Sequence, residues 1–159
     1  MTEKETMEIE AKYNELRKKY KLPDYKVMDN ELEISTIEQE SFLLRSIMRR
    51  ILEKVDFFMT ILQDTIQPDA SNMVSMNETN FFDDDEKKNM YTLYKKLASM
   101  NREGALVSLN PEEKSEAEFI NTFFEHWEQY KKELQHFIKK MRDSWKADID
   151  EDYDVRYVG

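Results

Sequence analysis

Apolar residues recur at helical spacing in residues 35–68, which read STIEQESFLLRSIMRRILEKVDFFMTILQDTIQP. The steps alternate between four and three residues, which keeps one side of a helix apolar: Leu44, Met48, Ile51, Val55, Phe58 and Leu62. The whole apolar arc covers roughly 180°, so we expect this helix to have neighbours on more than one side. Ser35 and Glu38 match a capping box, and Pro68 cannot continue the hydrogen-bond ladder. The pattern therefore predicts one long helix from Ser35 to Pro68.

Helical patterns also precede and follow this stretch. Thr2–Leu22 predicts a first helix, and Asp24 can cap a short turn that leads into the apolar segment Tyr25–Ile34. After Pro68, we expect a short helix near Ala70–Met76 and a turn that places Phe81 and Phe82 against one end of the protein.

Two further helices complete the predicted fold. The acids Asp83–Asp85 indicate the start of a helix that runs to about Met100 or Asn101, and Gly104 lies in the following connection. Asn110, Pro111 and Glu113 match an N-cap, a first helical position and a capping box, which predicts a last helix to about Lys146. We therefore expect an all-α fold, an up-and-down four-helix bundle with two long helices and short extra helical segments.

The composition limits the classes of protein that fit. The chain has 159 residues, a formal net charge of −10 and no cysteine. We expect one domain over residues 1–146 and an acidic, flexible tail over residues 147–159, whose Tyr153, Val155 and Tyr157 alternate as in an extended strand. The acidity argues against a dedicated nucleic-acid binder. Neither a membrane-spanning run nor a secretory signal is recognisable, so we expect a cytoplasmic protein.

No pattern in the sequence predicts catalysis or a cofactor. Glu133 and His136 have the spacing of a di-metal bundle motif, but both fall on the predicted polar side of the last helix, and a second such motif is missing. Alternating acids in the tail lack the glycine and glutamate of a calcium-binding loop: Asp148, Asp150, Asp152 and Asp154. Phosphate-binding loops, nucleophile elbows and Cys-His pairs are absent from the sequence. We therefore expect a protein that is not an enzyme and has no cofactor.

Surplus aromatic residues are the candidates for partner binding. Phe42 and Phe57 fall outside the main apolar arc of the long helix, so we expect either a contact surface or coverage by Tyr25–Ile34, more complete at Phe42. Phe81, Phe82, Tyr153 and Tyr157 are further candidates. Arg45, Arg49 and Arg50 form a basic group that could touch RNA, as could a second group on the last helix: Lys131, Lys132, Lys139, Lys140 and Arg142. Acidic residues at pairing distance favour a salt-bridged surface for both groups.

Several segments together resemble an uncharacterised family of small archaeal proteins. They are Leu22–Tyr25, Asn30–Glu38, Phe42–Arg50, Gln67–Asp69, Leu93–Leu97 and Ala117–Ile120. The resemblance implies an archaeal, cytoplasmic origin and assigns no activity and no functional residue.

These observations favour a helical interaction module that binds a protein partner or itself. The alternative is an accessory factor of a ribonucleoprotein complex, held through Arg45, Arg49 and Arg50. Strong salt dependence of binding distinguishes the second from the first, because counterion release accompanies phosphate contacts.

Overall fold

The computed structural model describes the backbone of residues 3–38 and 41–156 and the side chains of residues 6–38 and 41–152. Within those ranges the chain forms six α-helices, one 3₁₀ turn at Ile34–Thr36 and no β-strand. The helices are α1 (Glu3–Tyr20), α2 (Tyr25–Leu32), α3 (Leu43–Ile66), α4 (Met73–Thr79), α5 (Asp84–Leu109) and α6 (Glu113–Arg156). The predicted all-α fold class is confirmed.

The chain forms two compact units. Unit 1 comprises Met1–Phe57 and Ala98–Trp127, and unit 2 comprises Phe58–Leu97 and Glu128–Gly159. Helices α3, α5 and α6 each contribute residues to both units, because the unit boundaries fall inside these helices.

The core of unit 1 is built around large side chains that have lost nearly all contact with solvent. Tyr13 is fully buried, and its hydroxyl donates a hydrogen bond of 2.7 Å to the carbonyl oxygen of Pro23. Burial raises the pKa of Tyr13 well above its usual range, so the phenol keeps the proton that it donates. Phe123 and Trp127 stack with their ring centroids 4.9 Å apart. The hydrogen bond from Tyr13 to Pro23 links α1 to the turn that precedes α2.

The core of unit 2 contains residues from α3, α5 and α6. Leu62, Met90, Leu93 and Leu97 are fully buried, and the α6 side is supplied by three further buried residues: Leu134, Phe137 and Met141. Apolar residues three and four apart on each helix face this core, as the helical period requires.

Side-chain caps begin several helices where the sequence predicts them. The carboxylate of Asp24 accepts a hydrogen bond from the backbone N–H of Lys26 at the start of α2. At the start of α5, Asp83 and Glu86 form a reciprocal capping box: each carboxylate accepts a hydrogen bond from the backbone N–H of the other residue. The expected helix start at Asp83–Asp85 is confirmed.

Helix α3 begins later than the sequence predicts. Glu33 adopts a left-handed conformation with φ of 52°, which ends α2 and leads into the 3₁₀ turn. The Ser35 backbone N–H donates to the Asp29 carboxylate at 2.7 Å, and the Ile34 and Ile37 side chains are buried. The predicted capping box of Ser35 and Glu38 is therefore wrong, because Ser35 lies in the 3₁₀ turn, Glu38 is exposed after it, and α3 begins only at Leu43. The predicted helix end before Pro68 is confirmed.

Helix α5 continues through Gly104 to Leu109, so the predicted connection at Arg102–Leu109 is wrong. Gly104 is buried, and a Cβ atom at this position would lie 2.4 Å from Cδ2 of Leu52 and 3.0 Å from Cζ of Phe119. Any larger residue here would require the Leu52 side chain to shift, which a glycine avoids. Its role is packing, and the helix continues through it at a modest cost in propensity.

Helix α6 differs from the prediction at both ends. It begins at Glu113, whose carboxylate accepts hydrogen bonds from Nζ of Lys19 at 2.7 Å and the hydroxyl of Tyr20 at 2.6 Å. These contacts lower the pKa of Glu113, the Lys19 bond most of all, and they replace the capping box predicted with Asn110. At the other end, α6 passes Lys146 and reaches Arg156, so the first part of the expected tail is helical.

Candidate functional site

Phe42 and Phe57 lie on the surface of unit 1. Phe42 is 60% exposed and Phe57 is 61% exposed. The Arg45 guanidinium lies 4.7 Å from the centroid of the Phe42 ring, close enough for a cation–π contact. The expected coverage by Tyr25–Ile34 is wrong, because both rings stay exposed; Met28, Leu32 and Ile34 of that segment are buried, and Val27 is itself 51% exposed. Both rings are accessible to a partner.

Phe81 and Phe82 lie in unit 2 and contact residues of α6. The ring of Phe81 meets Trp145 edge to face at 5.4 Å, and Phe82 meets Phe137 edge to face at 6.1 Å. Phe82 is only 5% exposed. Both rings pack against side chains of α6, and Phe82 as a partner-binding residue needs correction, because its ring is already enclosed.

The side chains of the two tyrosines in the predicted tail lie outside the described residues. Tyr153 belongs to the backbone of α6, and its side chain lies outside the described residues. Tyr157 also lies outside the described residues. Both stay as sequence-based candidates.

The three arginines proposed for RNA contact have separate environments. Arg45 donates from Nε to the buried carboxylate of Glu116 at 2.9 Å. Arg50 donates to the carbonyl oxygens of Leu32 at 2.8 Å and Glu33 at 2.5 Å, and to the Thr36 hydroxyl at 2.9 Å. Arg49 is exposed. Arg45 and Arg50 therefore hold parts of unit 1 together, which leaves Arg49 as the arginine best placed to meet a phosphate.

Helix α4 is inverted relative to an ordinary surface helix. Its buried residues are polar: Ser75 is 2% exposed and Thr79 is 9% exposed. Its exposed residues are apolar, with Met73 at 79%, Val74 at 54% and Met76 at 41%.

Hydrogen bonds hold α4 in this orientation. The Ser75 hydroxyl donates to the carbonyl oxygen of Asp64 at 2.6 Å, which caps the last turns of α3. The Asn72 side chain accepts from the backbone N–H groups of Val74 and Ser75, and Nε1 of Trp145 donates to the carboxylate of Glu78 at 2.9 Å. Polar contacts thus turn the helix so that its methionines face solvent.

Sequence reasoning missed this surface. The sequence predicts a short helix near Ala70–Met76, but its pattern does not indicate that Met73, Val74 and Met76 face solvent, because a long apolar segment is rarely left in water. The signal that could have identified the inversion is the spacing of Ser75 and Thr79, which are four residues apart and share one face of the helix. A polar face next to the end of α3 can satisfy carbonyl groups that an apolar face cannot.

The Glu133–His136 motif lies on the surface of unit 2 beside a cavity of about 480 Å³ that has Phe137 in its wall. The Glu133 carboxylate accepts hydrogen bonds from Nζ of Lys96 at 3.4 Å and from Nε2 of Gln129 at 3.1 Å. Among the described residues, there is no group of three or more His, Cys, Asp or Glu that could hold a metal ion. The Glu133 carboxylate contacts a lysine and an amide, the pattern of an ordinary polar surface.

Within the described ranges, none of the helices is long and apolar enough to cross a membrane.

Comparison of the chain with protein-family models, with curated proteins and with solved structures gives no match.

Proposed function

We propose that this chain is a non-enzymatic helical interaction module that binds a protein partner or itself. The observation that carries the proposal is the inverted helix α4, which displays Met73, Val74 and Met76. Burying such side chains contributes roughly 1.5–3 kcal/mol for each one that becomes fully covered. Because α4 buries Ser75 and Thr79 and leaves its apolar residues exposed, another molecule can cover those apolar residues.

The chemistry of α4 suits a protein partner. Methionine is unbranched and polarisable, so a methionine-rich surface can adapt its shape to the surface that it meets. A contiguous apolar patch surrounded by polar residues is typical of a protein contact site. In unit 1, Phe42 and Phe57 supply a separate pair of exposed apolar rings.

The finer points of fold and origin belong to the same proposal. We infer an up-and-down four-helix arrangement with an acidic C-terminal tail, supported by the short connection between α5 and α6. We also propose that the module works in the cytoplasm, in keeping with the absence of cysteine, and that it originates from an archaeon, as the sequence resemblance implies.

The alternative, an accessory factor of a ribonucleoprotein complex, has weaker support. Two of its three candidate residues, Arg45 and Arg50, have hydrogen-bond partners inside unit 1. A polyanion would have to be attracted against a formal net charge of −10.

The test is an affinity pull-down with mass spectrometry, with and without nuclease, on the wild type and the double variant Met73→Ser/Met76→Ser. We expect the double variant to lose the partner and to keep its thermal midpoint, because both side chains are exposed. The matched control is Leu109→Ser, which removes an apolar side chain that is 82% exposed in unit 1. The proposal is contradicted if the double variant recovers the same partner as the wild type, or if nuclease abolishes recovery of the partner.

A further inference from the structure

Helix α6 is exposed towards its C-terminal end, over the residues whose side chains the structure describes. Every residue from Lys146 to Asp152 is exposed, whereas in the preceding turns α6 buries Leu134, Phe137 and Met141. A helical segment that packs against nothing is marginal in water, because most helical stability in proteins comes from tertiary packing.

The charges of this segment also disfavour an isolated helix. Asp148, Asp150, Glu151 and Asp152 lie near the C-terminus of α6, where the helix dipole favours cations. Asp148 and Asp152 are four residues apart, a spacing at which like charges repel. Lys146 lies four residues before Asp150, but acids outnumber bases among residues 146–152, so added cations stabilise a helix that continues through them.

Cations are present further back along the same face of α6. Counted from Lys132 at 100° per residue, the exposed residues His136, Lys139, Asp143, Lys146 and Asp150 all lie within about 40° of one line along the helix. The stripe begins with basic residues, and its second half contains Asp143 and Asp150 with Lys146 between them.

This stripe is complementary to itself in the antiparallel direction. Lys132 and Asp150 are equally distant from Met141 along the helix, and so are Lys139 and Asp143. Two α6 helices side by side, related by a two-fold axis at the level of Met141, therefore place Lys132 opposite Asp150 and Lys139 opposite Asp143 of the other copy, with His136 opposite Lys146. Each type of ion pair occurs twice, as an isologous interface requires.

We propose that α6 of one copy pairs antiparallel with α6 of a second copy of this chain through the stripe of Lys132, Lys139, Asp143 and Asp150. The inference extends the proposed function by naming a second copy as one partner, and it does not use the α4 surface. The paired lysines add positive charge at an acidic end of α6 whose own chain supplies Lys146 and the Arg142–Asp143 ion pair. Because the ion pairs lie at the surface, the association is weakened by salt.

The experiment is sedimentation equilibrium of the full chain at low and high salt. We expect a dimer at low salt that dissociates at high salt. Lys132→Glu and Asp150→Lys each place like charges opposite one another, so each should weaken the dimer at least tenfold. The double variant Lys132→Glu/Asp150→Lys restores both pairs and should return to within about threefold of the wild type. An equimolar mixture of the two single variants should form a heterodimer for the same reason.

Controls separate this pairing from a general effect of charge. Lys18→Glu, at an exposed position of α1 outside the stripe, makes the same change of net charge as Lys132→Glu. It should leave the dimer intact. Circular dichroism of each variant checks that the fold is kept. A wild type that stays monomeric at low salt, or a double variant no better than the single ones, overturns the inference. So does a monomer that binds labelled single-stranded RNA through Lys132. A monomer that still recovers its protein partner through α4 overturns the pairing and leaves the proposed function standing.

Discussion

Individual residues in unit 1 show how a group that resembles a binding patch can serve the fold. Arg50 donates three hydrogen bonds to the Leu32–Thr36 segment, whereas its neighbour Arg49 is exposed. Arg50→Ala leaves two carbonyl groups without this donor, so we expect a loss of about 1–3 kcal/mol in the free energy of unfolding. Arg49→Ala, the matched control, should change it by less than about 0.5 kcal/mol. Urea denaturation measures both, and equal effects would contradict the assigned role of Arg50.

Gly104 is the second residue whose role depends on tertiary contact. Gly104→Ala forces a methyl group against Leu52 and Phe119, which should cost about 1–3 kcal/mol, offset by about 1 kcal/mol of helix propensity. With Leu52→Ala in place, most of this clash is relieved. A double-mutant cycle on the free energy of unfolding should therefore give a coupling of about 1 kcal/mol or more. Additive effects would mean that the Leu52 side chain moves aside without cost.

These two residues mark where sequence reasoning stops at this scale. The pattern of a helix gives the side on which Arg50 lies, but not the carbonyl groups that happen to face it. A glycine among helical residues is typical of either a turn or a close approach, and only the position of Leu52 distinguishes the two. Phe57 was recognisable as an outlier because its position follows from the helical period, whereas Phe42 lies in the turn just before α3.

Among the elements, helix α5 joins a local cap to a contact with α6 in unit 2. Glu86 closes the capping box with Asp83, and its carboxylate also accepts a hydrogen bond from Nζ of Lys140. The Lys140 hydrogen bond, followed by the backbone N–H of Asp83, lowers the pKa of Glu86. A carboxyl group with a depressed pKa in the folded state adds stability above its unfolded pKa and loses it as the pH falls through the folded pKa.

Glu86→Gln tests this contribution, because glutamine can still close the capping box but carries no charge. We expect the variant to have a lower urea midpoint than the wild type at neutral pH. The difference should shrink as the pH falls below the ordinary range of a glutamate and through the depressed pKa of Glu86, where its carboxyl group becomes neutral. A difference that stays constant with pH would assign the effect to packing. Lys140→Met, which removes the partner cation, should have the same pH dependence.

A helix start was predicted correctly where the capping side chain bonds to a near neighbour in the chain. Asp24 and Asp83 cap helices with their own neighbours in the chain, so these starts were predictable. Glu113 and Ser35 have the same capping chemistry but contact groups elsewhere, and both predicted boxes failed. The inversion of α4 likewise depends on a group elsewhere in the chain, because the buried Ser75 hydroxyl donates to the Asp64 carbonyl oxygen.

At the scale of the whole molecule, the sequence predicts one domain over residues 1–146, and the folded chain forms two compact units. Helices α3, α5 and α6 contribute residues to both, so unfolding either unit alone would require breaking continuous helices within their length. Helix formation is cooperative along a helix, which favours one transition for the whole chain.

The two tryptophans allow this expectation to be measured, because Trp127 belongs to unit 1 and Trp145 to unit 2. In Trp145→Phe, tryptophan fluorescence reports unit 1, and in Trp127→Phe it reports unit 2, while far-UV circular dichroism reports the helices of the whole chain. We expect the fluorescence and dichroism transitions in urea to coincide within each variant, even though Trp127→Phe lowers the midpoint by removing a side chain that is only 1% exposed. Comparing the two probes within one variant removes the effect of the substitution on stability. A fluorescence transition that precedes the dichroism transition in either variant would mean that the corresponding unit unfolds by itself.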